Sequence, residues 1–220
     1  MTRDGPARTH DLIRLRDPSA LQAATPLPAW VEAALRQSPW VVVRRDHARE
    51  GSIPVGARGA TRSQRFAAFA PIVEIADRIS PEDLVGSRHL IDPSREHTVP
   101  ALNALSRVAP ILARRGRRWG PGGSVGYEIA TGLPATTPAS DLDVILRQDD
   151  ALATNDAIDL LAALVEAASP ARIDVMLETP RGGVSLADLA ARPARVLLRT
   201  PEGARLCEDP WTAAAGGMET

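Results

Sequence analysis

The sequence contains no lysine, since all 26 basic residues of the 220-residue chain are arginine. This absence excludes a lysine nucleophile, a lysine Schiff base and the lysine that closes a Walker A phosphate loop. A phosphate group bound to this protein would therefore be held by arginine, by backbone N–H groups or by a metal ion.

Other residue types are also scarce, and they limit the classes of function. Cys207 is the only cysteine, which excludes an intrachain disulfide and a zinc site built on cysteine ligands. Aromatic residues make up 3% of the chain and the formal net charge is −1. This composition does not favour nucleic-acid binding. The 4 histidines have no metal-ligand spacing.

Long apolar runs are absent from the sequence as well. The longest run is far shorter than a membrane span, and charged residues occupy the N-terminal region where a signal peptide has an apolar stretch. Hydrophobic residues nevertheless make up 44% of the chain, enough to form a core. We expect a cytoplasmic protein that does not bind to a membrane.

The hydrophobic pattern predicts an α+β protein with two domains. We expect a small N-terminal α+β domain at 1–92, a catalytic domain at 93–211 and a flexible tail at 212–220. Predicted helices and strands alternate along the chain. Helices are expected at 30–35, from Ser80, at 101–115 with an interruption at Pro110, and at 155–168 and 184–191. Strands are expected at 40–45, 53–56 (an edge strand), 140–146, 172–178 and 195–199. Residues 72–79 fit a strand or a short helix, 93–100 a connector, and 116–126 a glycine-rich loop.

Asp141 and Asp143 are the first candidate functional residues. On a strand they project to the same face, about 6–7 Å apart, while Leu142 and Val144 face the core. Two carboxylates this close repel each other unless a cation lies between them, and hard oxygen ligands facing a polyphosphate suit Mg²⁺. A solvent-exposed strand end gives the same pattern, so the pair alone does not decide between these interpretations.

Asp174 lies on a second predicted strand, one strand–helix–strand unit further along the chain. Its neighbours Ile173 and Val175 are apolar, so its side chain also points away from the core. A third carboxylate beside Asp141 and Asp143 would either ligate a metal ion or accept a proton from an attacking hydroxyl group.

The glycine-rich stretch before these carboxylates is a candidate phosphate-binding loop. Gly123 lets the backbone N–H groups approach an anion, and Ser124 can donate a hydrogen bond. Arg117 and Arg118 can neutralise phosphate charge. The region between His97 and Tyr127 contains five arginines and no acidic residue.

These motifs occur in the order found in the nucleotidyltransferase superfamily: Gly-Ser, then Asp-x-Asp on a strand, then an Asp on a later strand. The block that runs from Gly123 to Pro134, with Ser-Asp-Leu-Asp at 140–143, resembles the MdcG family more closely. Members of this family are phosphoribosyl-dephospho-coenzyme A transferases of malonate decarboxylase. Similar blocks lie at 10–12, 39–45, 54–59, 173–180, 182–183 and 210–211. The sequence departs from the family pattern at Arg199, where the resemblance leads us to expect a lysine.

The resemblance implies a nucleotidyltransferase-like mixed sheet flanked by helices in the catalytic domain. It also implies transfer of phosphoribosyl-dephospho-CoA from 2′-(5″-triphosphoribosyl)-3′-dephospho-CoA to a serine of the apo acyl-carrier subunit of malonate decarboxylase. In this interpretation Asp141 and Asp143 bind Mg²⁺, and Asp174 is a base or a ligand. Gly123 and Ser124 bind the outer phosphates, and the nearby Arg117 and Arg118 stabilise the leaving diphosphate.

Two alternatives stay open on the sequence. A different nucleotidyltransferase would use the same carboxylates with an ordinary nucleoside triphosphate, and a non-catalytic carrier-binding module would not need them. A second basic group in the N-terminal domain fits docking of an acidic carrier, binding of donor phosphates or a solvated surface equally well. Its members are Arg44, Arg45, Arg58, Arg62 and Arg65.

Overall fold

The computed structural model describes residues 5–61 and 63–212. The chain divides into two compact units, Met1–Leu84 and Val85–Thr220. Each unit contains helices and one sheet, which confirms the α+β class. The boundary expected after residue 92 falls inside the second unit. The tail expected at 212–220 lies outside the described residues except for Thr212.

The first unit is built on a five-stranded antiparallel sheet with the order β4-β3-β2-β1-β5. Its core includes Ile13, Val31, Val41 and Val55. The strands are β1 (Leu12–Leu15), β2 (Trp40–Val43), β3 (Ser52–Arg58), β4 (Arg65–Pro71) and β5 (Ile75–Ile79), and the helices are α1 (Ala29–Gln37) and α2 (Pro81–Leu84). Short 3-10 turns lie at Pro18–Ala20 and Ile72–Glu74.

The edge position predicted for the strand at 53–56 is wrong. β3 lies inside the sheet, between β2 and β4. Pro54 lacks an N–H group, which ordinarily confines proline to edge strands. The Pro54 carbonyl accepts a hydrogen bond from Arg44 N at 2.9 Å, so this proline still contributes to the sheet.

The second unit is built on a six-stranded mixed sheet with the order β11-β10-β9-β8-β7-β6. Only the β7–β8 pair is parallel among its described pairings, and a helix connects these two strands, as a parallel crossover requires. The strands are β6 (Arg118–Pro121), β7 (Leu142–Arg147), β8 (Ile173–Thr179), β9 (Gly182–Ser185), β10 (Val196–Thr200) and β11 (Gly203–Cys207). The helices are α3 (Pro93–Thr98), α4 (Pro100–Arg114), α5 (Gly123–Thr131), α6 (Thr154–Ala168) and α7 (Leu186–Ala190), after a 3-10 segment at Val85–Leu90.

Alternate residues of β7 and β8 separate the two faces of this sheet. Leu142, Val144, Leu146 and Leu177 are fully buried, and α4, α6 and α7 pack against these strands. The intervening residues form the other face, which carries the charged side chains. The alternation predicted for the two strands is therefore confirmed.

Two regions predicted to be irregular are regular in the structure. The glycine-rich region 116–126 contains β6 and the start of α5, because β6 pairs with β7 and buries Trp119. The expected connector at 93–100 contains α3, whose first turn is capped by the Asp92 side chain, which accepts from Ser94 N at 2.8 Å. Helix α6 begins at Thr154, one residue before the expected start at 155, and its N-cap residue is Ala153.

The interruption expected at Pro110 is wrong, because the helix predicted at 101–115 is continuous through this proline. The short helix after Ser80 begins at Pro81 as expected. Within residues 5–61 and 63–212, none of the helices has the length and apolarity needed to cross a membrane.

Candidate active site

Asp143 and Asp174 lie side by side on the parallel strands β7 and β8. The two residues are register partners, so their side chains project from the same face of the sheet. Asp143 is half-buried and Asp174 is exposed. Because like charges at directly opposite positions repel each other, this pair favours a cation between the two carboxylates.

Asp141 lies one residue before β7 and is engaged by Arg172, which occupies the same position before β8. Its Oδ1 accepts from Arg172 Nε at 2.8 Å and lies 2.7 Å from Nη2. The Arg172 side chain is 75% exposed. Water screens such an ion pair and makes it weak, so Asp141 can exchange this partner for another cation at little cost.

The start of α5 packs directly against Asp143. Gly122 N donates to the Asp143 carbonyl at 2.9 Å. Gly123 has a φ of +54°, and a Cβ atom at this position would lie 2.6 Å from the Asp143 Cγ atom. The N-cap residue is Gly122, which has no side chain to cap the first N–H groups of the helix. The N-terminus of α5, with Ser124 as its second residue, is therefore a suitable anion site next to a carboxylate.

Replacement of Gly123 by alanine tests this close approach. We expect Gly123→Ala to lower the transfer rate about a hundredfold, because the new Cβ displaces the Asp143 carboxylate. Gly132→Ala is the matched control, since Gly132 has a similar φ of +69° but open space around it. Both variants should lose about 1 kcal/mol of unfolding free energy from backbone strain, and only the first should lose activity. Equal rates for the two variants would rule out a role for this contact.

Arg118 lies at the other end of β6 from Gly123. It is the register partner of Arg147, and its Nη2 donates to Asp149 Oδ2 at 2.7 Å in an exposed pair. Arg117 precedes the strand, and its buried Nε has no hydrogen-bond partner among the described residues. The structure thus brings Gly123 and Ser124 to the carboxylates but does not bring Arg118 there. The expectation that residues 116–126 form one loop is wrong, because strand β6 lies between the two ends of this region.

Glu128 is a buried acidic residue whose role the sequence reasoning missed. Only 5% of its surface is exposed. Its Oε2 accepts from the backbone N–H groups of Ala135 and Thr136, both at 2.8 Å, and from the Thr136 hydroxyl at 2.6 Å. Arg95 donates to both carboxylate oxygens, at 2.6 and 3.0 Å, and also to the Thr136 carbonyl at 2.9 Å. This network fixes the segment that leads from α5 to Asp141.

The pKa of Glu128 reflects this network. Desolvation on burial raises the pKa and is the largest single effect. Hydrogen bonds from Arg95, from the Thr136 side chain and from the backbone of Ala135 and Thr136 together outweigh it, and they lower the pKa from 4.5 to about 2. The ionised form is therefore the stable one in the folded protein.

A pH dependence of stability follows from this shift. The pKa of Glu128 is lower in the folded state than in the unfolded state, so its contribution to stability is complete above about pH 4.5 and is lost as the pH falls towards 2. Denaturant titrations of the wild type and Glu128→Gln should show that their difference in unfolding free energy shrinks over this range. A difference that stays constant down to pH 2 would contradict the low pKa.

The basic group of the first unit is partly paired. Arg44 forms an ion pair with Asp46 at 3.3 Å, and Arg58 and Arg65 are register partners on β3 and β4. Arg62 lies outside the described residues. Binding of a carrier or a donor by this unit stays a prediction.

Comparison with known proteins gives the same family for both parts of the chain. The N-terminal domain model of phosphoribosyl-dephospho-CoA transferase MdcG matches residues 8–81, and the C-terminal domain model matches residues 89–210. No solved structure matches the chain.

Curated relatives agree with these matches over nearly the full length. A protein of Pseudomonas putida (strain GB-1) is 43% identical over 206 residues, which cover 94% of this chain and 96% of the relative. A protein of Azotobacter vinelandii is 41% identical over 210 residues, covering 94% and 95%. Each is named phosphoribosyl-dephospho-CoA transferase. The chain therefore belongs to the phosphoribosyl-dephospho-CoA transferase MdcG family and is a transferase, as the sequence resemblance predicted.

Proposed function

We propose that this protein transfers the phosphoribosyl-dephospho-CoA group from 2′-(5″-triphosphoribosyl)-3′-dephospho-CoA to a serine of the apo acyl-carrier subunit of malonate decarboxylase. The observation that carries the proposal is the Asp143–Asp174 pair next to the start of α5, in a chain that belongs to the MdcG family. The pair supplies cation ligands, and the helix start supplies N–H donors for a polyphosphate.

The donor set of this site suits Mg²⁺. Among the described residues, no group of three or more His, Cys, Asp or Glu side chains is arranged to hold a metal ion by itself. Mg²⁺ ordinarily uses few protein carboxylates and completes its shell with water and substrate phosphates, and Asp143 and Asp174 would hold it in that way, with Asp141 as a further ligand. When bound, the ion would neutralise charge on the triphosphate.

The reaction exchanges a phosphoanhydride bond for a phosphodiester bond. The serine oxygen of the acceptor attacks the innermost phosphorus of the triphosphate, the bond from that phosphorus to the next bridging oxygen breaks, and diphosphate leaves. Asp174 is the exposed carboxylate of the pair, so it would accept the serine proton if Asp141 and Asp143 hold the ion. Gly123 and Ser124 hold the phosphate oxygens at the start of α5, and their N–H groups stabilise the charge that develops there.

The identity of the acceptor rests on the family resemblance. The names of the relatives specify a transferred group and not the protein that receives it. The basic residues of the first unit are suited to an acidic carrier.

The test is transfer to the purified apo acyl-carrier subunit in the presence of synthetic donor. With Mg²⁺, intact-mass spectrometry should show addition of one phosphoribosyl-dephospho-CoA group, and a peptide map should locate it on a serine. Addition of EDTA should stop the reaction, and renewed Mg²⁺ should restore it. A carrier that gains no mass with Mg²⁺ present would disprove the proposed function.

A further inference from the structure

Four charged side chains meet at the corner of the second sheet where β7 and β8 begin. Asp143 and Asp174 are register partners. Asp141 and Arg172 lie two residues before them, and Leu142 N donates to the Arg172 carbonyl at 2.8 Å, so the pairing of the two strands reaches this end. Residues two positions apart on a strand share a face, which places a guanidinium group among the carboxylates of the candidate site.

Arg172 is loosely held at this corner. Its Nε donates to Asp141 Oδ1 at 2.8 Å, and its Nη2 lies 2.7 Å from the same oxygen. Among the described residues, the guanidinium group has no other hydrogen-bond or ion-pair partner. The Arg172 side chain is 75% exposed, and that of Asp141 is 22% exposed. Since an exposed ion pair contributes little to stability, the guanidinium can leave Asp141 while the backbone of Arg172 stays bound to β7.

A metal ion at this site would compete with Arg172 for Asp141. Both are cations, and a divalent ion at the Asp141 carboxylate would repel a guanidinium group that lies within hydrogen-bond distance of the same oxygen. Release of Arg172 would present a planar set of N–H donors, which matches the geometry of phosphate oxygens. A polyphosphate that arrives with the metal ion brings such oxygens to the same corner.

The position of Arg172 complements that of helix α5. Strand β7 lies between β6 and β8 in the sheet. Gly123 follows β6 and approaches Asp143 from that side, whereas Arg172 comes from the β8 side. A triphosphate at the carboxylates would thus have the N–H groups of α5 on one flank and the Arg172 guanidinium on the other. Donors on opposite flanks can hold different oxygens of one polyphosphate.

We propose that Arg172 binds the triphosphate of the donor, and that it pairs with Asp141 when metal and donor are absent. This assignment rests on the proposed function for the nature of the donor. It couples the binding of metal and triphosphate, because the ion displaces Arg172 from Asp141 and the triphosphate gives the displaced guanidinium new acceptors. The free protein therefore has a low affinity for the metal ion alone.

The first measurement is the binding of Mn²⁺ without donor, followed through the electron paramagnetic resonance signal of free Mn²⁺. This ion prefers the same oxygen ligands as Mg²⁺. Arg172→Met should bind Mn²⁺ with a Kd about three- to tenfold lower than that of the wild type, because the competing positive charge is gone. Arg172→Lys keeps this charge and should bind Mn²⁺ as the wild type does.

The second measurement is calorimetric titration with inorganic triphosphate at saturating Mg²⁺, where the metal ion is not limiting. Arg172→Met should raise the Kd of triphosphate about 10- to 100-fold, since charge-assisted hydrogen bonds are lost. Arg172→Lys should raise this Kd by a smaller factor, because an ammonium group keeps the charge but lacks the planar fork. The two Kd values of Arg172→Met thus move in opposite directions, which a loss of local structure would not produce.

Arg192→Met is the matched control for both measurements. Arg192 is also an exposed arginine with a side-chain partner, since its Nη2 donates to Asn155 Oδ1 at 2.6 Å. Asn155 lies at the start of α6, which follows the end of β7 that is remote from Asp141. Both Kd values of this variant should equal those of the wild type.

Several results would overturn the assignment. One is a Kd for Mn²⁺ that is unchanged or higher in Arg172→Met, and another is an absence of measurable Mn²⁺ binding by both proteins. A third is a Kd for triphosphate that is the same in Arg172→Met and the wild type. If Arg172→Met does not fold, Arg172→Lys decides, and a triphosphate Kd equal to that of the wild type would overturn the assignment.

Failure of the proposed function would be a different result. Neither titration contains the carrier or the complete donor. Both can therefore give the expected Kd values while the carrier gains no mass in the transfer assay. In that case Arg172 is a polyphosphate ligand of an enzyme that uses another donor or acceptor.

Discussion

Replacement of Asp143 by asparagine is expected to lower the transfer rate about a thousandfold, because the site loses a metal ligand and half of the charge of the Asp143–Asp174 pair. The fold should persist, since asparagine has nearly the same shape. Removal of one of two neighbouring negative charges should leave the free energy of unfolding unchanged or slightly higher when no metal is present.

The measurement is a single-turnover time course of carrier modification with Mg²⁺, together with denaturant unfolding of both proteins in EDTA. Asp159→Asn is the matched control, because Asp159 is an exposed aspartate on α6 of the same unit. It should react at the rate of the wild type. An Asp143→Asn variant that is folded and transfers at the wild-type rate would show that the carboxylate pair is not the reactive centre.

Replacement of Glu128 by alanine is expected to cost about 2–4 kcal/mol of unfolding free energy, because it leaves the half-buried Arg95 without its carboxylate partner. The donors of Ala135 and Thr136 lose their acceptor at the same time. The segment that leads to Asp141 should then lose its fixed path, so the transfer rate should also fall, although Glu128 does not touch the reacting atoms.

A double-mutant cycle separates this network from a simple loss of packing. Arg95→Met and Glu128→Ala should be strongly non-additive, because each removes the partner of the other. Glu166→Ala is the control, since Glu166 is exposed on α6 and its removal should change stability by less than about 0.5 kcal/mol. Additive effects of the Arg95 and Glu128 substitutions would contradict the account of this network.

The strands that carry the carboxylates could be predicted from the sequence, because the pattern that identifies each strand lies within the strand itself. Alternation of apolar and acidic residues is enough to place Asp143 and Asp174 on the face opposite the core, and the helix between the two strands has a clear apolar stripe. That Asp143 and Asp174 are direct neighbours could not be predicted, because the register depends on how the strands pair.

The features that the sequence did not reveal depend on long-range contacts. Arg118 belongs to a run of arginine and glycine residues that is typical of a loop, and only pairing with β7 makes it the start of a strand. Glu128 has an ordinary appearance in the sequence, because its partner Arg95 lies on a different helix. The one local signal for Glu128 was that it is the only charged residue of helix α5, shortly before Thr-Gly-Leu-Pro.

The central claim is that the carboxylate site transfers phosphoribosyl-dephospho-CoA and not an ordinary nucleotide. A competition in one reaction tests it most directly: apo acyl-carrier subunit, Mg²⁺, the wild-type protein and equal concentrations of the triphosphoribosyl donor and ATP, analysed by intact-mass spectrometry. We predict that the carrier gains the mass of one phosphoribosyl-dephospho-CoA group and no AMP. A carrier that gains AMP, or that remains unmodified, would contradict the claim.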